Sequence, residues 1–239
     1  MSTTQLPLAL RWPRRQRFEH FHVGVNAATL DGVRRAVESA DAPWPFVTGA
    51  SGCGKTHLLV AACQYAAEHG RRVQYLPLEH LSGSMEGAIR GSVGSELVAV
   101  DDVQVLAGDR AAEHALFDLY NRARAEHVTL LFASRDTPAQ LGLNLPDLRS
   151  RLGACTLLAL KPLTEGERRH ILHAHAAARG IVLDDAVLDW LFHHHARDLG
   201  ALQALLDELD SASLAAKRRI TVPFLREFLR ERETPTIGP

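Results

Sequence analysis

The hydrophobic pattern changes its period along the chain. Between Phe18 and about Pro162, short solid apolar runs alternate with longer amphipathic ones. The runs Phe46–Thr48, Val73–Pro77, Leu97–Val100, Val128–Ala133 and Thr156–Leu160 lack the polar alternation of a half-wetted strand. They predict buried strands of a parallel sheet covered on both faces. Between them, 26–38, 56–69, 111–125 and 145–152 repeat apolar residues at helical spacing. Strand and helix in alternation predict an open α/β sheet with crossover helices. From Leu163 the pattern is helical only. Thr164 with Glu167 predicts a capping box, and Gly180 a stop. Asp184 opens a second helix with Val187, Leu188, Leu191 and Phe192 inward. Asp198 opens a third on Leu199, Leu202, Leu205, Leu206 and Leu209, and Thr221-Val-Pro-Phe a fourth. The expected organisation is a tail over 1–17, an α/β domain over 18–162 and a small helical lid over 163–239.

Composition narrows the class. At 239 residues, with 46% apolar and 23% charged, the chain can bury a real core. No apolar run approaches a membrane span, and the polar, proline-interrupted start is not a signal peptide. Cys53, Cys63 and Cys155 show no metal spacing, and so sparse a set fits a reducing cytoplasm. The formal net charge of −1 supplies no global basic field, so any nucleic-acid role is local or through a partner.

The chemistry is concentrated at strand ends. Gly49-Ala-Ser51-Gly52-Cys53-Gly54-Lys55-Thr56 fits G-x-x-x-x-G-K-[ST] in full, after an apolar run and before a helix. Glycines there turn backbone N–H groups toward phosphate oxygens, and the helix aims its positive end at the same anion. Lys55 reaches the outer phosphates and the Thr56 hydroxyl can ligate Mg²⁺. Leu97-Val-Ala-Val-Asp101-Asp102 reads as the accompanying metal strand, with Asp101 holding Mg²⁺ and Asp102 orienting water. The next strand ends in Ser134-Arg135-Asp136, where either Arg135 or Asp136 can sense a γ-phosphate. Arg149 and Arg151 lie on a short amphipathic turn from which an arginine can project into a neighbour's site, because its planar fork matches phosphate oxygens. Arg197, at the start of the third lid helix, can reach back to the phosphates. His193, His194 and His195 sit about 100° apart on a helix and cannot converge on one ion; His170 and His173 lack a third ligand. Gln5-Leu6-Pro7-Leu8-Ala9-Leu10 is an apolar peptide ahead of a linker carrying Arg11, Arg14, Arg15 and Arg17. It is either a docking peptide on a tether or a strap on the domain's own surface.

The stretches GASGCGKTHLL, LVAVDD, LLFASRDTP, LPDLRSRL and RDLGALQALLDEL resemble the AAA+ module of DnaA, the bacterial replication initiator. The opening hexapeptide resembles a sliding-clamp-binding motif, and the sequence ends soon after the lid, with no helix-turn-helix domain expected. That combination is similar to the Hda family of DnaA-homologous regulatory inactivators; further stretches like it are Ala115–Arg122, Leu209–Ser213 and Arg219–Phe224. The resemblance implies an AAA+ P-loop NTPase module with a parallel five-stranded sheet and a helical lid. It implies ADP or ATP with Mg²⁺ as cofactors. Gly49 to Thr56 and the adjoining His57 would hold the phosphates. Phe18–Gly24 matches the adenine-side box, which brings in Phe21 and Val23, and Arg197 matches the lid's sensor arginine. Arg151 matches the arginine finger acting in trans. The implied partners are DnaA and the DNA polymerase III β clamp, gripped through Gln5, Leu6, Leu8 and Leu10, with DNA reached through the clamp and a homodimer open to the lid and tail. The implied function is negative regulation of replication initiation, with weak or no ATP hydrolysis of its own; the alternative is an autonomous ATPase acting as an initiator or helicase-loading factor. Two departures stand out. The Arg135-Asp136 order is reversed relative to the family, and Asp102 stands where many AAA+ motors carry Glu.

Overall fold

The computed structural model describes residues 12, 16–81, 83–194 and 199–233. The chain divides into two compact units, the first of residues 1–50 and 54–161, the second of residues 51–53 and 162–239.

In the first unit, β1 (Pro45–Thr48), β2 (Val73–Pro77), β3 (Leu97–Asp101), β4 (Thr129–Ser134) and β5 (Thr156–Ala159) form one parallel sheet in the order β2-β3-β4-β1-β5. Helix α1 (Ala27–Glu38) precedes β1, and the crossovers are α2 (Lys55–Glu68), α3 (Met85–Arg90), α4 (Arg110–Ala125) and α5 (Pro146–Gly153). β4 is inserted between β3 and β1, so the carboxyl ends of all three lie side by side, with Thr48 level with Ser134. Ligand crevices of open α/β sheets form at such ends. Every residue of β1, β3 and β4 is buried, which is why those strands read as unbroken apolar runs. The Phe46 and Phe132 rings stack at 6.0 Å across β1 and β4, over Leu116 and Leu148 from the helices. Each such side chain contributes roughly 1.5–3 kcal/mol by leaving water.

β5 departs from the expectation of a strand covered on both faces. Thr156, Leu157 and Ala159 are exposed, Leu157 by half. It is the sheet edge, and only the face carrying Leu158 is closed. There Gly32 of α1 lets the helix approach so near that an added Cβ would lie 2.7 Å from Leu158 Cδ1. The strand end is tied to α1 by side chains. Asn26 Nδ2 donates to Lys161 O at 3.1 Å, Lys161 N donates to Asn26 Oδ1 at 2.8 Å, and Thr29 Oγ1 donates to Ala159 O at 2.8 Å. Helix α3 was not expected; six residues are too few to show a period.

A buried carboxylate organises the approach to α5. Glu113 of α4 is fully buried and accepts from the backbone N–H of Gly108 at 3.3 Å, Asn144 at 3.2 Å and Leu145 at 2.7 Å. Its helix starts cleanly, with the Asp109 side chain accepting from Ala112 N.

The second unit is helical: α6 (Glu165–Ala177), α7 (Asp185–His194), α8 (Leu199–Ala216) and α9 (Val222–Glu233). Thr164 and Glu167 make the expected capping box. The core is a leucine cluster, with Leu172, Leu188, Leu191, Leu206, Leu209 and Leu225 inside it. His175 of α6 and Arg179, in the turn that follows it, both reach Asp207 of α8, at 2.8 and 3.0 Å. Among the described residues no helix is long and apolar enough to cross a membrane.

Candidate nucleotide-binding site

The loop after β1 turns back through Gly52 at φ +73° and Gly54 at φ +104°. Gly54 has a second reason to lack a side chain, since a Cβ there would lie 3.1 Å from the Phe21 ring. Helix α2 begins directly behind it with no side-chain cap, its first backbone bond being Leu58 N to Gly54 O. The N–H groups of its first turn are therefore available to an anion, under the positive end of a 14-residue helix dipole. Lys55 is buried, and its Nζ donates to the loop carbonyls of Gly49 at 2.9 Å and Ala50 at 3.0 Å.

Across from the loop, the end of β3 supplies oxygen ligands. Thr56 Oγ1 donates to Asp101 Oδ2 at 2.6 Å, and Tyr75 OH donates to the same oxygen at 2.9 Å. Asp102 N donates to Asp101 Oδ1 at 3.0 Å. The hydroxyl and carboxylate are 45 positions apart in sequence, and the fold makes them one unit. A hydroxyl and a carboxylate at the foot of a phosphate loop are the hard oxygen donors that Mg²⁺ takes together with phosphate oxygens and water, so the residues present fit a Mg–nucleotide.

Burial is the leading cause that raises the Asp101 pKa above its ordinary value; Asp102 adds to it, and the Thr56, Tyr75 and backbone hydrogen bonds oppose it. Burial, with the Asp101 charge beside it, also pushes the Tyr75 phenol up. A carboxyl whose pKa is raised on folding binds protons more tightly in the native state. Its contribution therefore weakens stability as pH rises from the unfolded toward the folded pKa, and at neutral pH the ionised form is a cost. Asp101→Asn, which keeps an oxygen for both hydroxyls, is accordingly expected to raise the melting temperature of the nucleotide-free protein at pH 7 and to narrow that difference as pH falls toward 4. The same variant is expected to lose the Mg²⁺-dependent part of nucleotide-induced stabilisation. Differential scanning fluorimetry across pH, with and without Mg–ADP, measures both; a lower melting temperature than wild type at pH 7 would contradict the burial argument.

The second acid is engaged elsewhere. Asp102 sits at φ +57°, a left-handed conformation that is strained for a residue with a Cβ. Gln104 Nε2 donates to Asp102 Oδ1 at 3.0 Å, while Ser134 Oγ at 2.9 Å and Arg135 N at 3.2 Å donate to Gln104 Oε1. Asp136 N donates to Ser134 Oγ at 3.2 Å. The side chains of both sensor candidates, Arg135 and Asp136, are exposed, and each joins this network only through its backbone N–H. The buried polar group at the tip of β4 is Ser134. Gln104 and Tyr75 were missed by sequence reasoning. No spacing rule marks them, and only the β2–β3 register, which sets Tyr75 beside Ala99, could have pointed to the tyrosine.

The segment that the resemblance reads as an adenine-side box packs on α2. The Phe21 ring meets the His57 imidazole edge-on at 5.4 Å, and Val23 is half-buried. His57 Nε2 lies 2.9 Å from Arg17 O, Gln64 Nε2 donates to Gln16 O at 2.8 Å, and Arg17 pairs with Glu68. Burial lowers the His57 pKa, against the pull of that carbonyl, so the ring is neutral and donates.

Arg151 lies on α5, solvent-exposed, its guanidinium 5.9 Å from the Tyr120 ring centre. Arg149 is exposed beside it. Gln5, Leu6, Leu8, Leu10, Arg11, Arg14, Arg15, His195 and Arg197 lie outside the described residues. Among the described residues no three His, Cys, Asp or Glu side chains gather as a metal site. His193 and His194 instead bond the carbonyls of Asp189 and Trp190.

Comparison with known proteins gives two family matches. The model of the bacterial DnaA ATPase domain matches residues 13–158, and the model of the Hda lid domain matches residues 165–229. Among solved structures, domain III of the Thermotoga maritima replication initiation protein DnaA superposes with a TM-score of 0.73 at 22% identity, over 94% of this chain and 99% of that one. A replication initiator DnaA bound to AMPPCP and single-stranded DNA superposes at 0.66 and 26% identity, over 87% and 68%. The Aeropyrum pernix Orc1 protein in complex with DNA shares the fold at 0.68 and 17% identity, over 89% and 65%.

Proposed function

The chain belongs to the bacterial DnaA ATPase-domain family and carries a lid of the Hda type, and on that premise we propose that it is a negative regulator of replication initiation. In this reading it binds ADP or ATP with Mg²⁺, associates with the DNA polymerase III β clamp on DNA in the cytoplasm, and stimulates hydrolysis of the ATP held by DnaA. The observation that carries the reading is a complete phosphate loop together with an exposed arginine, Arg151, that makes no ion pair among the described residues.

Its own nucleotide would be held by Lys55, the N–H groups of residues 49–56 and the Phe21–His57 wall, with Thr56 and Asp101 as the protein ligands of Mg²⁺. A bound Mg²⁺ would offset phosphate charge. Asp102 hydrogen-bonds Gln104 through its carboxylate. A group so engaged is a poor orienter of water, in keeping with weak turnover in its own site.

In the partner's site, water attacks the γ-phosphorus and ADP leaves, with charge spread over the transferred phosphoryl oxygens. Arg151 contributes a fixed positive fork to that charge, an interaction made in the transition state. The peptide Gln5–Leu10 supplies clamp binding, with Leu6 and Leu8 as anchors. Leu6→Ala with Leu8→Ala is expected to weaken clamp pull-down about 30-fold, roughly 2 kcal/mol for lost anchors, while leaving ADP affinity unchanged. Undiminished clamp capture would remove the tail from the mechanism. The intact loop and Asp101 also favour a second reading, an autonomous ATPase acting as initiator or helicase loader. Robust DNA-stimulated turnover without DnaA, lost in Lys55→Ala, would select it.

A further inference from the structure

We infer that Tyr120 is a positioning residue for the Arg151 finger: its ring, fixed in the core of the α/β domain, holds the guanidinium in the attitude in which it meets the partner's triphosphate. The inference rests on the function proposed above and adds a residue to it.

A trans arginine has a geometric problem. The side chain is long and has many rotamers, yet the charge it must meet is confined, and a misplacement of about 1 Å can cost roughly 10²-fold. Arg151 has no carboxylate partner among the described residues. What it has is an aromatic face. Tyr120 of α4 is buried, with the Arg151 guanidinium carbon 5.9 Å from its ring centre. A cation over a ring is attracted to the negative face of the π system. The contact leaves the N–H donors, which lie in the guanidinium plane, free for phosphate oxygens. An ion pair to a carboxylate would occupy those donors.

The ring is itself braced. Trp44 meets Tyr120 edge-to-face at 4.8 Å, and Arg124 lies over the Trp44 ring at 5.7 Å. Tyr120 and Arg124 are one helical turn apart on α4 and so share a face. Cys155, whose side chain also interacts with that of Tyr120, donates through Sγ to the Arg151 carbonyl at 3.7 Å. Burial pushes the Cys155 thiol up to about 12, so it remains a donor at neutral pH. Arg151 is thus steadied at its backbone by a thiol and at its guanidinium by a ring.

The test is single-turnover hydrolysis of labelled ATP on DnaA, with clamp-loaded DNA and the full chain titrated to saturation. Tyr120→Phe keeps the ring and is expected to stay within about twofold of wild type. Tyr120→Leu and Tyr120→Met remove it and are expected to lower the saturating rate about tenfold, with the half-saturating concentration changed less than twofold. In an Arg151→Ala background neither is expected to cost anything further. Using two aliphatic replacements, each checked by near-ultraviolet circular dichroism, keeps the result readable if one fails to fold. Wild-type rates in the folded aliphatic variants while Arg151→Ala is inactive would overturn this inference alone, as would a full additional loss on top of Arg151→Ala. Normal stimulation by Arg151→Ala would overturn the function it rests on.

Discussion

Arg151→Ala is expected to lower the saturating rate of DnaA-bound ATP hydrolysis by about 10³-fold, the lower end of what a trans arginine supplies. The half-saturating concentration, clamp binding and ADP affinity are expected to stay within about twofold. The split follows from where the side chain sits. Arg151 is exposed and makes no ion pair among the described residues, so its removal strands no buried charge. In the proposed role its interaction with the partner is made in the transition state, and losing such an interaction lowers the rate constant and not the affinity. Arg151→Lys is expected to recover little, because a point charge on a flexible stem cannot reproduce a planar fork. Single-turnover rates against titrated variant measure the split. A variant that fails only by binding DnaA more weakly would assign Arg151 to docking.

The second large effect is at Lys55. Lys55→Ala is expected to weaken ADP binding by at least about 10²-fold, since charge-assisted hydrogen bonds contribute about 1.5–3 kcal/mol each and the lysine can make more than one to phosphate. The free protein is expected to keep its fold. The Nζ donates to loop carbonyls of Gly49 and Ala50, which lie at the surface end of β1 where water can replace it. The consequence for stability comes through linkage. Ligand at 100 times its dissociation constant stabilises the wild type by about 2.7 kcal/mol, and the variant at the same concentration gains well under half of that. Isothermal titration and thermal shift with ADP measure the two sides independently. Unchanged ADP affinity would mean that the loop does not carry the phosphates.

What the sequence made legible is what local rules control. Solid apolar runs identify β1, β3 and β4 because both faces of those strands are buried, and the loop Gly49–Thr56 is recognisable because phosphate binding demands glycines, a lysine and a hydroxyl at fixed spacing. The run ending in Asp101 predicts a metal strand, and the fold brings that carboxylate to Thr56. The parts that could not be read are those made by tertiary register. β5 looks like the other strands in sequence, but its place at the sheet edge leaves Leu157 half exposed. Tyr75 reaches Asp101 only because β2 pairs with β3. Gln104 lies in a turn that no pattern marks as functional, yet it joins the tips of β3 and β4. At the end of β4 the charged Arg135 and Asp136 stand out in sequence, whereas the buried position is the uncharged Ser134. Tyr120 appears in sequence as one more apolar position of α4. Its meeting with Arg151 depends on how α4 and α5 pack, which Glu113 helps to fix by binding the turn before α5.

In the proposed function this protein completes a reaction in another molecule's pocket. The most direct measurement is the lifetime of radiolabelled ATP on purified DnaA, followed by chromatography of the bound nucleotide, with the chain, its own nucleotide and clamp-loaded DNA added in every combination. Conversion to ADP is expected to accelerate only when all three are present, and substitution of Arg151 is expected to remove the acceleration. An ATP lifetime on DnaA that is the same with and without the chain, while the chain turns over ATP by itself on DNA, would contradict the proposed function.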